Sequence, residues 1–337
     1  MQTGDLPIEL MLRADLRIPP FANTTFAAQY QAFLDMARWA DDLGFDSIGL
    51  SEHHGDPAGY CPAPLTVAAA VLARTSRIKV QVAALLVPLH DPVRLAEQIA
   101  TIDCMAPGRL SVVVGAGYRK FEFEMAGIER GTRGGRVEET LTLWRKAWTG
   151  QPFEWRGREM LVTPPPATPG GPKIFLGGKS VAAARRAARF QCDFWPANTD
   201  ASLREAYFEE CRVQGFDGKC EGLGDVRPLR AGFTMVSRDP EDAWRKIADA
   251  VIYDAATYAA WQDDSVRSSF FVSDAPDLAA IRASGQFLVQ TPEECLALAR
   301  EKRGLTLHPL MGGIDVDTAW DSLRLFEAEV LPHIRNG

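Results

Sequence analysis

Ser51-Glu52-His53-His54 sets a hydroxyl, a carboxylate and two imidazoles on consecutive residues, directly after the short apolar run DSIGL. Groups of this kind move protons near neutral pH, because an imidazole titrates close to pH 6.5. Neighbouring side chains on an extended chain point to opposite sides, so only one of the two histidines can enter a given pocket. Two histidine ligands from one strand would need a His-x-His triplet, which this chain lacks. His90, His308 and His333 stand alone in the sequence. No metal is expected.

Further segments could hold a ligand. Ala83 and Ala84, in VAALLVPLHDP, leave space where a flat ring could lie against backbone. Gly115 and Gly117, followed by Tyr118, suit close approach of a ligand to main chain. A dinucleotide fingerprint would need glycine where Lys120 stands, so a Rossmann reading fails. Gly177-Gly178-Lys179-Ser180 joins the run KIFL to an alanine-rich helix. Free N–H groups at a helix start, with a hydroxyl and an ammonium alongside, suit a phosphate. The leading glycine of a nucleotide-triphosphate loop is replaced by Lys173. Trp195, in CDFWPA, could wall an apolar substrate pocket.

These segments need elements that bring them to one place. Short apolar runs alternate with helical periodicity, which predicts a parallel sheet with crossover helices. Nine runs qualify as strands: IELMLRA, DSIGL, IKVQVAALLV, RLSVVVGAG, KIFLGG, CDFWPA, RAGFTMV, GQFLV and LTLHPL. A TIM (β/α)8 barrel has eight places, so GQFLV is expected to be a loop. One helix should carry Phe26, Tyr30, Phe33, Ala37 and Ala40 on its buried face. Asp91-Pro92 and Thr291-Pro292-Glu293-Glu294 read as helix starts. Residues 253–285 look like an insertion over one barrel mouth. A single domain over 1–337 is the simplest organisation, with the barrel's insertions near its C-terminal half.

Composition narrows the class. With 46% hydrophobic and 24% charged residues the chain is a folded globular protein. A net charge of −7 gives no electrostatic footprint for nucleic acid. No apolar run is long enough for a signal peptide or membrane span, so a cytoplasmic location is expected. Six scattered cysteines without a C-x-x-C pair read as buried thiols.

Taken together, Glu52-His53-His54, HDPVRLAEQ and the GR-x5-GAG spacing before Tyr118 make the chain resemble the bacterial luciferase-like flavin monooxygenases. RVEETLTLWRKAWTG and KIFLGGKSVAAARRAAR extend the match, which resumes more loosely in QTPEECLAL near the end. The resemblance implies a TIM barrel, commonly a homodimer, that uses reduced FMN from a separate reductase with molecular oxygen to oxidise a small organic substrate. A sister branch uses a deazaflavin as hydride carrier, and a non-catalytic flavin-binding protein is a further alternative. By the same resemblance His53 lies near the reactive edge of the flavin, and Ala83 and Ala84 lie under the ring, often joined by a cis peptide. Gly177 to Ser180 then fall at the cofactor phosphate. Luciferase proper carries a phosphate-binding arginine where this chain has Ala116. Anchoring then falls to Lys179, Ser180 and backbone, or to another basic residue.

Overall fold

The structure, a computed structural model, describes residues 7–198, 200–220, 233–261 and 277–335. In chain order the strands are β1 (Glu9–Ala14), β2 (Ser47–Leu50), β3 (Lys79–Leu85), β4 (Leu110–Val114), β5 (Phe153–Trp155), β6 (Arg158–Met160), β7 (Lys173–Gly178), β8 (Asp193–Pro196), β9 (Phe233–Val236), β10 (Phe287–Gln290) and β11 (Gly304–Leu307). All nine runs singled out in the sequence are strands. PFEWRGREMLV forms the small antiparallel hairpin β5–β6.

The chain divides into two compact units. One comprises residues 1–49, 56–61 and 224–337; the other comprises 50–55 and 62–223. In the first unit the strand order is β10-β9-β11-β1-β2. Phe287–Gln290 pairs residue for residue with Phe233–Val236 in parallel. The expectation that GQFLV is a loop is therefore corrected. Phe287 and Val289 are buried while Leu288 and Gln290 are half-buried, the alternation of a strand with one face on the core. The core here gathers Leu12, Phe33, Met36, Ile48 and Phe326. The helix Phe26–Asp42 buries Gln29, Phe33, Met36, Ala37 and Ala40, and Phe26 is exposed. Its buried stripe is rotated from the expected one, because Gln29 and Met36 continue the inward face that Phe33 and Ala37 define.

This unit also buries charge. Arg17 lies against Asp15 at 2.6 Å and Asp254, with its guanidinium 5.1 Å from the Tyr60 ring centre. Burial pushes the nearby His308 down to about 3, assisted by Arg13 and Arg17 against the pull of Asp15. Of the expected insertion, the helix Pro240–Trp261 runs through the first part and Leu278–Ser284 through the last. Residues 262–276 of it lie outside the described residues.

In the second unit the order is β3-β4-β7-β8, all parallel. Parallel strands joined by helices must be covered on both faces, and the residues supply this cover. Val80, Val82, Val112 and Val114 are buried in the sheet, and Ala96, Ile99, Leu143 and Trp144 on the helices. Trp144 and Trp148 stack with ring centres 5.0 Å apart. Asp91 caps the helix Pro92–Met105 by accepting from the N–H groups of Val93 and Arg94. None of the six cysteines forms a disulfide; five are buried and Cys104 is exposed, which corrects the expectation for that one. Among the described residues no helix is long and apolar enough to cross a membrane.

Candidate active site

The parallel order β3-β4-β7-β8 lines up the C-terminal strand ends, where parallel α/β proteins hold their ligands. Ala83 and Ala84 end β3, Gly115 follows β4, Gly177 and Gly178 end β7, and Trp195 pairs with Gly177 across to β8. The row from Ala84 through Gly115 to Gly177 carries almost no side chain. Ala83 and Ala84 are half-buried between the buried Val82 and Leu85, and the peptide joining them is cis, as the resemblance implied. The β3–β4 register shifts at this point. A Cβ on Gly115 would stand 2.7 Å from the Cβ of Ala84, so the two strand ends approach as closely as a missing side chain allows. Trp195 sits edge-on to Phe175, with ring centres 5.4 Å apart.

Ser51 to His54 leave β2 along this row and are tied to the end of β3. The Ser51 hydroxyl donates to the Ala83 carbonyl at 2.7 Å, and the Leu86 N–H donates to Glu52 Oε2 at 2.6 Å. The two histidines diverge, as alternation requires. His53 is buried and its Nδ1 is 2.9 Å from Glu122 Oε1. The same oxygen accepts from the His54 N–H at 3.0 Å and from Arg119 Nη1 at 3.1 Å. Tyr118 meets the His53 ring edge-on at 5.7 Å. A proton on Nδ1, held by the carboxylate, fixes the tautomer and the orientation of the ring.

His54 turns the other way. Its Nε2 is 2.7 Å from Glu52 Oε1, and His90 Nε2 reaches the same oxygen at 2.5 Å. Burial pushes the Glu52 carboxyl up, but the hydrogen bonds of His54 and His90, the charge of His90 and the Leu86 N–H outweigh it and hold the group at about 2. The hydrogen bond to Glu52 in turn raises His54 above its ordinary value, against the effect of burial. The buried anion thus holds two imidazoles in place by charge-assisted hydrogen bonds.

Ser180 and Lys179 stand at the start of the helix Val181–Arg189. The Ser180 hydroxyl caps that helix by accepting from the Ala183 N–H at 3.2 Å. Gly178 lets the helix come close, since a Cβ there would lie 2.4 Å from that of Ala183. Gly117 has φ +73 and turns the chain after β4 toward Tyr118. Sequence reasoning missed Glu122, Arg119 and His90. In RKFEFEM a carboxylate flanked by Phe121 and Phe123 was the available sign that Glu122 is buried and paired.

A family model for luciferase-like monooxygenases matches residues 16–307. The chain belongs to the luciferase-like monooxygenase family. Among relatives, it is 29% identical over 196 residues to the FMNH(2)-dependent dimethylsulfone monooxygenase of Pseudomonas putida, covering 56% of this chain and 52% of that one. It is 30% identical over 171 residues to the F420-dependent glucose-6-phosphate dehydrogenase of Nakamurella multipartita, covering 48% of this chain and 50% of that one. The chain thus spans about half the length of these curated relatives. The crystal structure of the monooxygenase RslO1 from Streptomyces bottropensis superposes with a TM-score of 0.75 at 22% identity, over 96% of this chain and 99% of that one. The α/β fold with its parallel sheet is therefore that of luciferase-like TIM-barrel proteins, and the relatives it matches include FMNH2-dependent and F420-dependent enzymes.

Proposed function

We propose that the protein is a flavin-dependent monooxygenase, which takes reduced FMN from a separate reductase and uses molecular oxygen to oxidise a small organic substrate. The observation that carries this reading is the pairing of His53 with Glu122 beside a strand-end row stripped of side chains. The half-buried backbone at Ala83, Ala84 and Gly115 fits a flat tricyclic ring, because larger residues there would occupy its place. Gly177, Gly178, Lys179 and Ser180 would hold the phosphate, with N–H groups of a nine-residue helix start directed to it. When bound, the reduced flavin supplies the electrons that activate oxygen.

The chain's own groups do the rest. Glu122 holds the Nδ1 proton of His53, so Nε2 can take a proton from, or return one to, the reacting centre. Arg119 donates to Glu122 Oε1 and is itself pinned by the His54 carbonyl at 2.8 Å. Glu52 fixes His54 and His90 and ties them to the backbone after the ring seat. Trp195 would wall the substrate pocket. A protein that only carried flavin would have no use for two carboxylate-held histidine groups.

A second reading is hydride transfer from a deazaflavin. It is favoured by the F420-dependent relative and by Ala116, which stands where luciferase has its phosphate-binding arginine. Anaerobic titration with reduced FMN, followed by oxygen, separates the two. Saturable binding of reduced FMN and altered reoxidation support the monooxygenase. Tight binding of the deazaflavin with no affinity for reduced FMN overturns it.

A further inference from the structure

The chain has no His-x-His triplet, yet Glu52-His53-His54 contains a carboxylate and an imidazole two residues apart. On an extended segment such residues share a side. His90, from the turn after β3, completes the set. Glu52 Oε1, His54 Nε2 and His90 Nε2 all lie within 4.8 Å of one another. We propose that these three side chains form a binding site for a divalent transition ion of the zinc type. The proposal does not depend on which flavin the protein uses.

Two imidazole nitrogens and one carboxylate oxygen make up a ligand set for zinc and related ions. Three protein ligands leave a fourth position for water or another small ligand. The two nitrogens now stand at hydrogen-bond distance from the shared oxygen, 2.7 and 2.5 Å. Around a zinc ion with bonds of about 2.0–2.2 Å, ligand atoms sit roughly 3.4 Å apart. Each imidazole therefore needs to withdraw by less than about 1 Å, within the reach of side-chain rotation.

The surroundings fit that use. A metal site needs its ligands oriented by groups behind them. Glu52 is held through its second oxygen by the Leu86 N–H. His54 is fixed at both backbone ends, its N–H donating to Glu122 and its carbonyl accepting from Arg119. The His90 carbonyl accepts from Arg136 at 3.4 Å, and its N–H donates to the Val87 carbonyl at 3.2 Å. His90 keeps 31% of its side chain exposed and His54 17%, so an ion can enter and a fourth ligand can follow. Binding replaces the two N–H···O contacts with N–metal and O–metal bonds; each bound ring ends as a neutral imidazole with its proton on Nδ1, and a ring that was doubly protonated releases one proton to solvent.

The test uses untagged full-length protein freed of metal with a chelator and then titrated with zinc chloride by calorimetry. Cobalt chloride serves as a spectroscopic probe. The expected result is one equivalent of zinc bound, with visible cobalt bands of a four- or five-coordinate site. His90→Ala, at a partly exposed position, should weaken zinc binding at least about tenfold. Glu52→Gln should do the same, and His333→Ala, in the other compact unit, should bind as wild type does. No binding of zinc by the wild-type protein overturns the proposal. So does unchanged affinity in a His90→Ala protein whose thermal unfolding shows it to be folded.

Discussion

His53 Nδ1 lies 2.9 Å from Glu122 Oε1, and that one oxygen also receives the His54 N–H and an Arg119 N–H. The ring is thus oriented by a carboxylate that is itself oriented by two further donors. A histidine held so closely has its ring orientation set, and its position is not adjustable. Catalysis that depends on proton transfer should respond sharply to its loss.

His53→Ala is expected to reduce substrate oxidation on the order of a hundredfold while leaving the fold intact. Glu122→Gln keeps the shape but removes the charge, and should cost less than the alanine variant. Steady-state turnover with a flavin reductase, together with circular dichroism, checks both. Full activity in His53→Ala with loss in His54→Ala would transfer the role to the other histidine.

Glu52 makes stability depend on acid. Its carboxyl is held at about 2 against an ordinary 4.5, so it stabilises the fold fully above pH 4.5. That contribution, on the order of 3 kcal/mol, fades as pH falls from 4.5 toward 2. Glu52→Gln should therefore be clearly less stable than wild type at pH 7, and the gap should narrow below pH 4.5 and close only toward pH 2. His54 works with the opposite sign: raised by Glu52, it stabilises at and below its ordinary 6.5 and loses this as pH climbs through its higher folded value. Urea unfolding of both proteins from pH 3 to pH 9 reads these slopes. A gap that stays constant across the acid range would rule out Glu52 as its source.

The phosphate assignment is tested with two ligands that differ only there. Lys179→Ala should lose about 1.5–3 kcal/mol of FMN binding, roughly ten- to a hundredfold, and far less of riboflavin binding. Fluorescence quenching measures both. Equal losses would put the phosphate somewhere else.

Two glycine substitutions should move stability in opposite directions. Gly115→Ala sets a Cβ 2.7 Å from that of Ala84, a neighbour with no side chain left to move, and should cost about 1–3 kcal/mol. Gly135, inside the helix Arg133–Ala147, has open space around its Cβ position. Gly135→Ala should add about 0.5–1 kcal/mol. Denaturant midpoints for the pair decide whether the strand-end row is as tightly packed as described.

Much of this was legible in the chain because it is local. Alternation and turn residues picked out nine candidate runs that all form strands, though not the β5–β6 hairpin, and Thr291 with Glu294 forms the capping box that their spacing announced. GQFLV, expected as a loop because a barrel has eight places, is a strand whose Phe287/Val289 alternation puts one face on the core. The partners of the histidines were not legible for a different reason. Glu122 is 69 residues from His53, and His90 is 38 from Glu52, so only tertiary packing brings them together. A buried carboxylate also looks the same in sequence as a solvated one. Phe26 followed the periodicity and still ended at the surface, because a helix stripe names a direction and not the depth of each residue along it.

The hydrogen bond from the Leu86 amide to Glu52 has a bearing on protein engineering. It means that the three letters Glu-His-His do not make a portable module. Transplanted alone onto another barrel, the carboxylate would lack the amide that steadies it, and the imidazoles hung on it would lose their aim. A working graft must carry the stretch from Ala83 to His90 along with Ser51 to His54, as one discontinuous cassette.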